Sequence, residues 1–231
     1  MLKKFTFAAL TFLFTLCMIG CGDDKSAGDK NSDASKVEGS ADKAVLAYAQ
    51  LNAYGIIEDE NQAAAGMAEN DIKDVQDRVL AQLVQAFQNF PLSDENIDKI
   101  TKQYVAKLHV AMNLKTTIKK DDPKNPVVEL TARTINRENT DKVAETDENL
   151  LALGNTLYQL QLAGFTYEQL KNDPNFQAAA METISNFISE FQLNDEKSID
   201  ITCEALKGSD GKMHWAPQNP QDITKFVNGQ K

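Results

Sequence analysis

Leu114-Lys115-Thr116-Thr117-Ile118-Lys119 alternates apolar and polar residues; Asp121-Asp122-Pro123-Lys124-Asn125-Pro126 follows, then Val127-Val128-Glu129-Leu130-Thr131-Ala132-Arg133-Thr134-Ile135. Period two marks the first segment as a strand, and the Asp/Pro/Asn cluster is turn chemistry. The third segment is rich in β-branched residues, which pack well on a pleated surface, so it is the returning strand. A hairpin at 114–135 excludes an all-helical chain.

Upstream the period changes to that of a helix. Ala44-Val45-Leu46-Ala47-Tyr48 starts a helix that runs to Tyr54 and stops at Gly55. A longer one spans about 71–90, with Ile72, Val75, Val79, Leu83 and Phe87 in one apolar stripe before Pro91. Ser93 is an N-cap for a third, whose inner face is Ile97, Ile100, Tyr104 and Leu108.

Downstream the pattern recurs. Residues 141–163 carry Leu150, Leu153, Leu157 and Leu160 at helical spacing. Residues 166–191 read as a helical stretch interrupted at Asp173-Pro174, where Asp173 caps a new start and Met181, Ile184, Phe187, Ile188 and Phe191 share one side. Ile199, Ile201, Cys203 and Ala205 alternate with polar residues as a one-sided strand. Gly208-Ser209-Asp210-Gly211 is a turn, Lys212 to Trp215 a return strand, and a helix around 220–228 closes the chain. The expected class is α+β: helices packed on an antiparallel sheet built from two hairpins, in two helix-helix-hairpin pseudo-repeats.

Composition sets the outer bounds. The chain has 231 residues, 42% hydrophobic and 25% charged, values of an ordinary globular protein. A formal net charge of −10 argues against nucleic acid, whose phosphates require a basic stripe.

The first twenty residues read as an address. Lys3 and Lys4 form a positive n-region, followed by a mostly apolar run from Phe5 to Ile19. That run is shorter than the roughly 20 residues a membrane-crossing helix needs, so it reads as a signal-peptide h-region. It ends in Met18-Ile19-Gly20-Cys21, which resembles the lipobox of bacterial lipoproteins, with Met18 where leucine is usual. The resemblance implies cleavage between Gly20 and Cys21 and a diacylglyceryl group on the Cys21 sulfur. Two acyl chains make a stable membrane anchor where one binds only marginally.

Removal of residues 1–20 takes away two lysines and leaves a formal charge of −12. Cys17 leaves as well and Cys21 is acylated, so Cys203 remains as the one free thiol. An acidic surface repels anionic headgroups, so membrane attachment would come from the lipid. Residues 21–41 carry the lipidated cysteine and a linker in which only Val37 is a sizeable apolar residue, so disorder is expected there. A flexible linker of that length reaches roughly 25 Å. Residues 42–231 are then the globular domain.

Asp42-Lys43-Ala44-Val45, Gly66-Met67-Ala68-Glu69, the Tyr104 helix and the Val127–Ile135 strand are similar to a domain-of-unknown-function family of bacterial cell-surface lipoproteins. That resemblance implies location and class, with no activity to carry over. Gly211-Lys212-Met213-His214-Trp215 is also similar to the last strand of cystatin-like and nuclear-transport-factor-like sheets.

Candidate chemistry is sparse. No glycine-rich nucleotide loop, Gly-x-Ser-x-Gly or His-Glu-x-x-His occurs, so no catalytic residue and no cofactor is assigned. His109, His214 and Cys203 are zinc-compatible types, but no Cys-x-x-Cys or His-x-x-x-His spacing brings them together, so no metal is assigned. Cys203 reads as a buried structural thiol. Asn194 to Asp200 fails as a calcium loop, because Ile199 stands where glycine is required. Glu58-Asp59-Glu60 and Asp121-Asp122 read as solvated loops. Tyr104, Tyr158 and Trp215 are the candidate lining of a ligand pocket, against the alternative that they fill the core.

The expected function is a lipid-anchored extracytoplasmic binding module for a small molecule or an envelope protein. Its alternatives are a structural assembly partner in the envelope and a hydrolase without a recognisable motif.

Overall fold

A computed structural model describes residues 37–87 and 90–230. The expected signal peptide, Gly20, Cys21 and most of the linker lie outside the described residues. The architecture is α+β, as the periodicities predict, and the described chain divides into two compact units, each built from separated segments.

The first unit comprises described residues up to Val79, then 109–135 and 193–230. Its centre is an antiparallel sheet of β1 (Lys115–Lys120), β2 (Val127–Ile135), β3 (Leu193–Lys207) and β4 (Met213–Pro217), in the order β1-β2-β3-β4. The 114–135 hairpin is present with its turn where the Asp/Pro/Asn cluster puts it. β3 begins at Leu193, six residues before its alternation does. Its first part, through Thr202, pairs with β2, and Cys203 to Lys207 pair with β4.

One face of this sheet is apolar and covered. Val128, Leu130, Ala132, Ile201 and Cys203 are buried there. α1 (Ala41–Tyr54) lies against β1, β2 and β4, and its buried alanines at 41, 44, 47 and 49 permit close helix-to-sheet approach. The closing helix, Pro220–Val227, adds Ile223 and Val227, both fully buried. The opposite face is a polar lattice. Lys119 bridges Glu129 at 2.9 Å and Asp200 at 2.8 Å, and the Thr131 and Ser198 hydroxyls meet at 2.7 Å. Such an alternation is what a half-solvated antiparallel sheet requires.

A short helix absent from the sequence reading, α2 (Asp59–Ala65), follows α1. The Glu58-Asp59-Glu60 stretch, read as a loop, is its first turn, and acids there complement the helix dipole. α3 (Glu69–Phe87) buries Ile72 of the expected stripe and half-buries Val75 and Val79.

The second unit comprises 80–108 and 136–192 and is helical. α4 (Asp94–Ala111) starts where Ser93 Oγ accepts the Asn96 amide at 3.2 Å, as expected of an N-cap, and buries Ile100, Tyr104 and Leu108. The helix expected over 141–163 is two, α5 (Arg137–Thr146) and α6 (Glu148–Leu162). Asp147 separates them, because its carboxylate accepts the Leu150 amide at 2.8 Å and starts a new helix. α7 (Tyr167–Lys171) opens with a Thr166/Gln169 capping box, and α8 (Pro174–Glu190) starts at the Asp173-Pro174 break, where Asp173 accepts the Phe176 amide at 2.8 Å.

Gln177 joins three segments of this unit. Its Oε1 accepts from the Ser93 amide at 2.9 Å and from Asn96 Nδ2 at 2.8 Å, while its Nε2 donates to the Pro91 carbonyl at 2.6 Å and the Leu170 carbonyl at 2.9 Å. With the closing helix numbered α9, the chain order is helices then hairpin, twice, and a final helix. The two sets of helices do different work: α1 covers the sheet, whereas α5 to α8 pack among themselves with α4.

Candidate functional site

The sheet unit carries an open cleft of about 690 Å³. Four pieces of chain build it. The end of α2 supplies Ala63, Ala64 and Gly66, and the β3–β4 turn supplies Ser209, Asp210 and Lys212. Glu38 and Gly39, which lead into α1, form a third wall, and Lys43 of α1 with Asp59 and Glu60 of α2 form the fourth.

His214 of β4 holds these pieces in register. It is 4% exposed, and its Nε2 donates to Asp210, with the two carboxylate oxygens at 3.1 and 3.0 Å. Nδ1 faces the Ala64 carbonyl at 3.4 Å. Gly66 ends α2 at φ +59°, and a Cβ there would lie 2.3 Å from the imidazole carbons, so glycine is required on both counts. Gly208 approaches the ring from the turn, where a Cβ would lie 2.7 Å from Cδ2. The histidine is thus a packed wedge between the α2 end and the β3–β4 turn.

The Asp210 carboxyl is held below its usual range. The Lys212 amide, which donates to it at 2.9 Å, is the main cause, and the His214 hydrogen bond adds to it. The rim is mixed in charge. Lys43 and Glu60 pair at 2.7 Å, which raises the lysine pKa. Met67 and Ala63 give the floor an apolar component. A recess with carboxylates, ammonium groups and a small apolar floor suits a polar ligand that carries charge.

Chemically the His214–Asp210 pair resembles half of a hydrolytic triad, but both ring nitrogens already face acceptors. Neither is directed to the Ser209 hydroxyl as a general base would be. Among the described residues, no group of three or more His, Cys, Asp or Glu side chains is placed to hold a metal ion.

The aromatic residues expected to line a pocket are not brought together in the cleft. Tyr104 is buried in the helical unit against Phe191, ring centroids 5.9 Å apart. Tyr158 is half-buried on α6 of the same unit. Trp215 belongs to the sheet unit and packs on the Ala44, Ala47 and Ala65 cluster with Tyr48 and Met67. His109 is exposed, edge-on to Tyr54 at 5.1 Å. Cys203 is fully buried, and burial pushes its thiol up to about 12.

Sequence reading missed the pairing of Asp210 with His214 and the role of Gly66. The turn Gly208-Ser209-Asp210-Gly211 was a usable signal, because it places the two partners four residues apart across a reversal. The contact of His214 with Gly66, 148 residues earlier in the chain, had no local signature. No protein-family model matches this chain, and neither a curated protein nor a solved structure matches it.

Proposed function

We propose that this protein is a lipoprotein of a bacterial cell envelope, anchored through a diacylglyceryl group on Cys21, whose sheet unit binds a small polar ligand or an envelope protein in the cleft beside His214. The observation that carries the anchor is Lys3-Lys4, the apolar run Phe5 to Ile19, and the small residue Gly20 before Cys21. The cleft supports the binding half of the reading, since it combines a volume of about 690 Å³ with carboxylate and ammonium groups on its walls. In this reading the lipid localises the domain, the linker gives it reach, and the cleft makes the contact. No helix among the described residues is long and apolar enough to cross a membrane.

Two measurements test it. Metabolic labelling with palmitate should mark the wild-type chain and not Cys21→Ser, with signal-peptide processing followed on the same gel. An unlabelled wild-type chain that is still cleaved removes the anchor. Native mass spectrometry of the chain purified gently from its host should show a retained adduct, lost on substitution of Lys212 and Asp59 together.

A second reading, an assembly partner in the envelope, is favoured by Leu162 and Phe165. They are 64% and 41% exposed and three residues apart at the end of α6.

A further inference from the structure

We infer that Glu38 and Gly39 form a strap that walls one side of the cleft and opens locally, releasing the end of α2 that it holds. The inference rests on the cleft being the binding site, but the strap's seat can be measured with no ligand present.

Three observations place the strap. Glu38 adds to the outer edge of β4 as a parallel bridge opposite His214, and its amide donates to the Met213 carbonyl at 2.8 Å. Among the described residues, that is the backbone pairing that holds it to the sheet. Gly39 then turns at φ +72° directly against α2: a Cβ there would come 2.8 Å from the Ala64 Cα and 2.9 Å from its Cβ. Glu38 and Gly39 both line the cleft.

The strap and the imidazole therefore grip the same turn of α2. Gly39 rests on Ala64, and His214 faces the carbonyl of that residue while its ring sits on Gly66. A wall held by one bridge is the least costly part of the sheet to open, because local opening scales with the contacts it breaks. With the strap seated, the α2 end is clamped on His214 and the cleft is walled on that side. With it released, that wall is gone and the α2 end loses the contact of Gly39 on Ala64.

Amide exchange and chemical shifts on the whole chain, purified from its host, test the strap. The Glu38 amide should exchange at least about tenfold faster than the amides of the β2–β3 ladder, as a locally opening contact does. Gly39→Ala, which cannot fit against Ala64, should speed Glu38 exchange further and shift Ala64, Gly66 and His214 resonances. Glu38→Pro removes the donated hydrogen with little demand on the core, and should shift the same resonances while those of α9 and β2 stay in place. Exchange of Glu38 together with the β2–β3 ladder would show a strap that does not open and would overturn the inference. So would either variant freeing Glu38 without moving Gly66 or His214, since the strap would then not be coupled to the cleft.

Discussion

Asp122 shows how much a single side chain can organise in a loop. Its Oδ1 accepts the Lys124 amide at 2.9 Å and the Asn125 amide at 3.1 Å, and Lys120 Nζ reaches Oδ2 at 2.9 Å. The Lys124 amide contributes most to lowering this carboxyl to about 2. A depressed carboxylate stabilises the hairpin fully above its ordinary value near 4, and that contribution is lost as pH falls towards 2. The expected outcome is a lower Tm for Asp122→Ala than for wild type at pH 7, with the gap closing by pH 2 in thermal melts. Cys203 makes the complementary case: buried and pushed up to about 12, it should resist a thiol reagent at pH 8 until the protein unfolds. Gly66→Ala combines a left-handed backbone with a collision on His214, so it should cost about 2 kcal/mol or more by denaturant titration. These residues differ in legibility. The turn around Asp122 is written locally in Asp/Pro/Asn chemistry, whereas the demand on Gly66 comes from a ring far along the chain.

At the scale of elements, starts and stops were encoded by short side chains. Asp173 before Pro174 begins α8, and replacing it with Ala should cost about 1 kcal/mol, read from the urea midpoint at unchanged m-value. Asp147 uses the same device and splits a stretch whose leucine spacing alone reads as one helix. Apolar periodicity finds a buried face but is blind to a one-residue reorientation between two faces. The early start of β3 escaped for a related reason. Asn194 to Asp200 is almost wholly polar, so nothing in its own pattern marks a strand. Its backbone pairing with β2 makes it one, with Ser198 opposite Thr131, Lys197 opposite Ala132 and Glu196 opposite Arg133. Within the helical unit Gln177 fills four hydrogen bonds among buried backbone and side-chain groups. Gln177→Ala should leave those partners unsatisfied and destabilise by about 2–3 kcal/mol in the same titration.

For the molecule as a whole, the sheet core carries the largest single-site sensitivity. Leu130 is completely buried between the sheet and its covering helices, so Leu130→Ala should cost about 2–5 kcal/mol by thermal or chemical melting. On the proposed anchoring, the −12 charge expected after processing makes the lipid, and not the protein surface, the source of membrane attachment. Raised salt should therefore not strip the protein from membranes, whereas detergent should.

The sequence alone determined the class of fold, both hairpins and most helix boundaries, and it is the sole ground for the proposal that Cys21 carries a lipid. Those features are local: a period of two or 3.6, a cap, a turn or, for the proposed anchor, a short signal. Only the tertiary structure decided that Glu38, Gly66, Asp210 and His214 meet in one cleft and that Tyr104, Tyr158 and Trp215 do not line it. The four cleft residues are separated by up to 176 positions, and side-chain packing, which has no period in the chain, selects which of them touch.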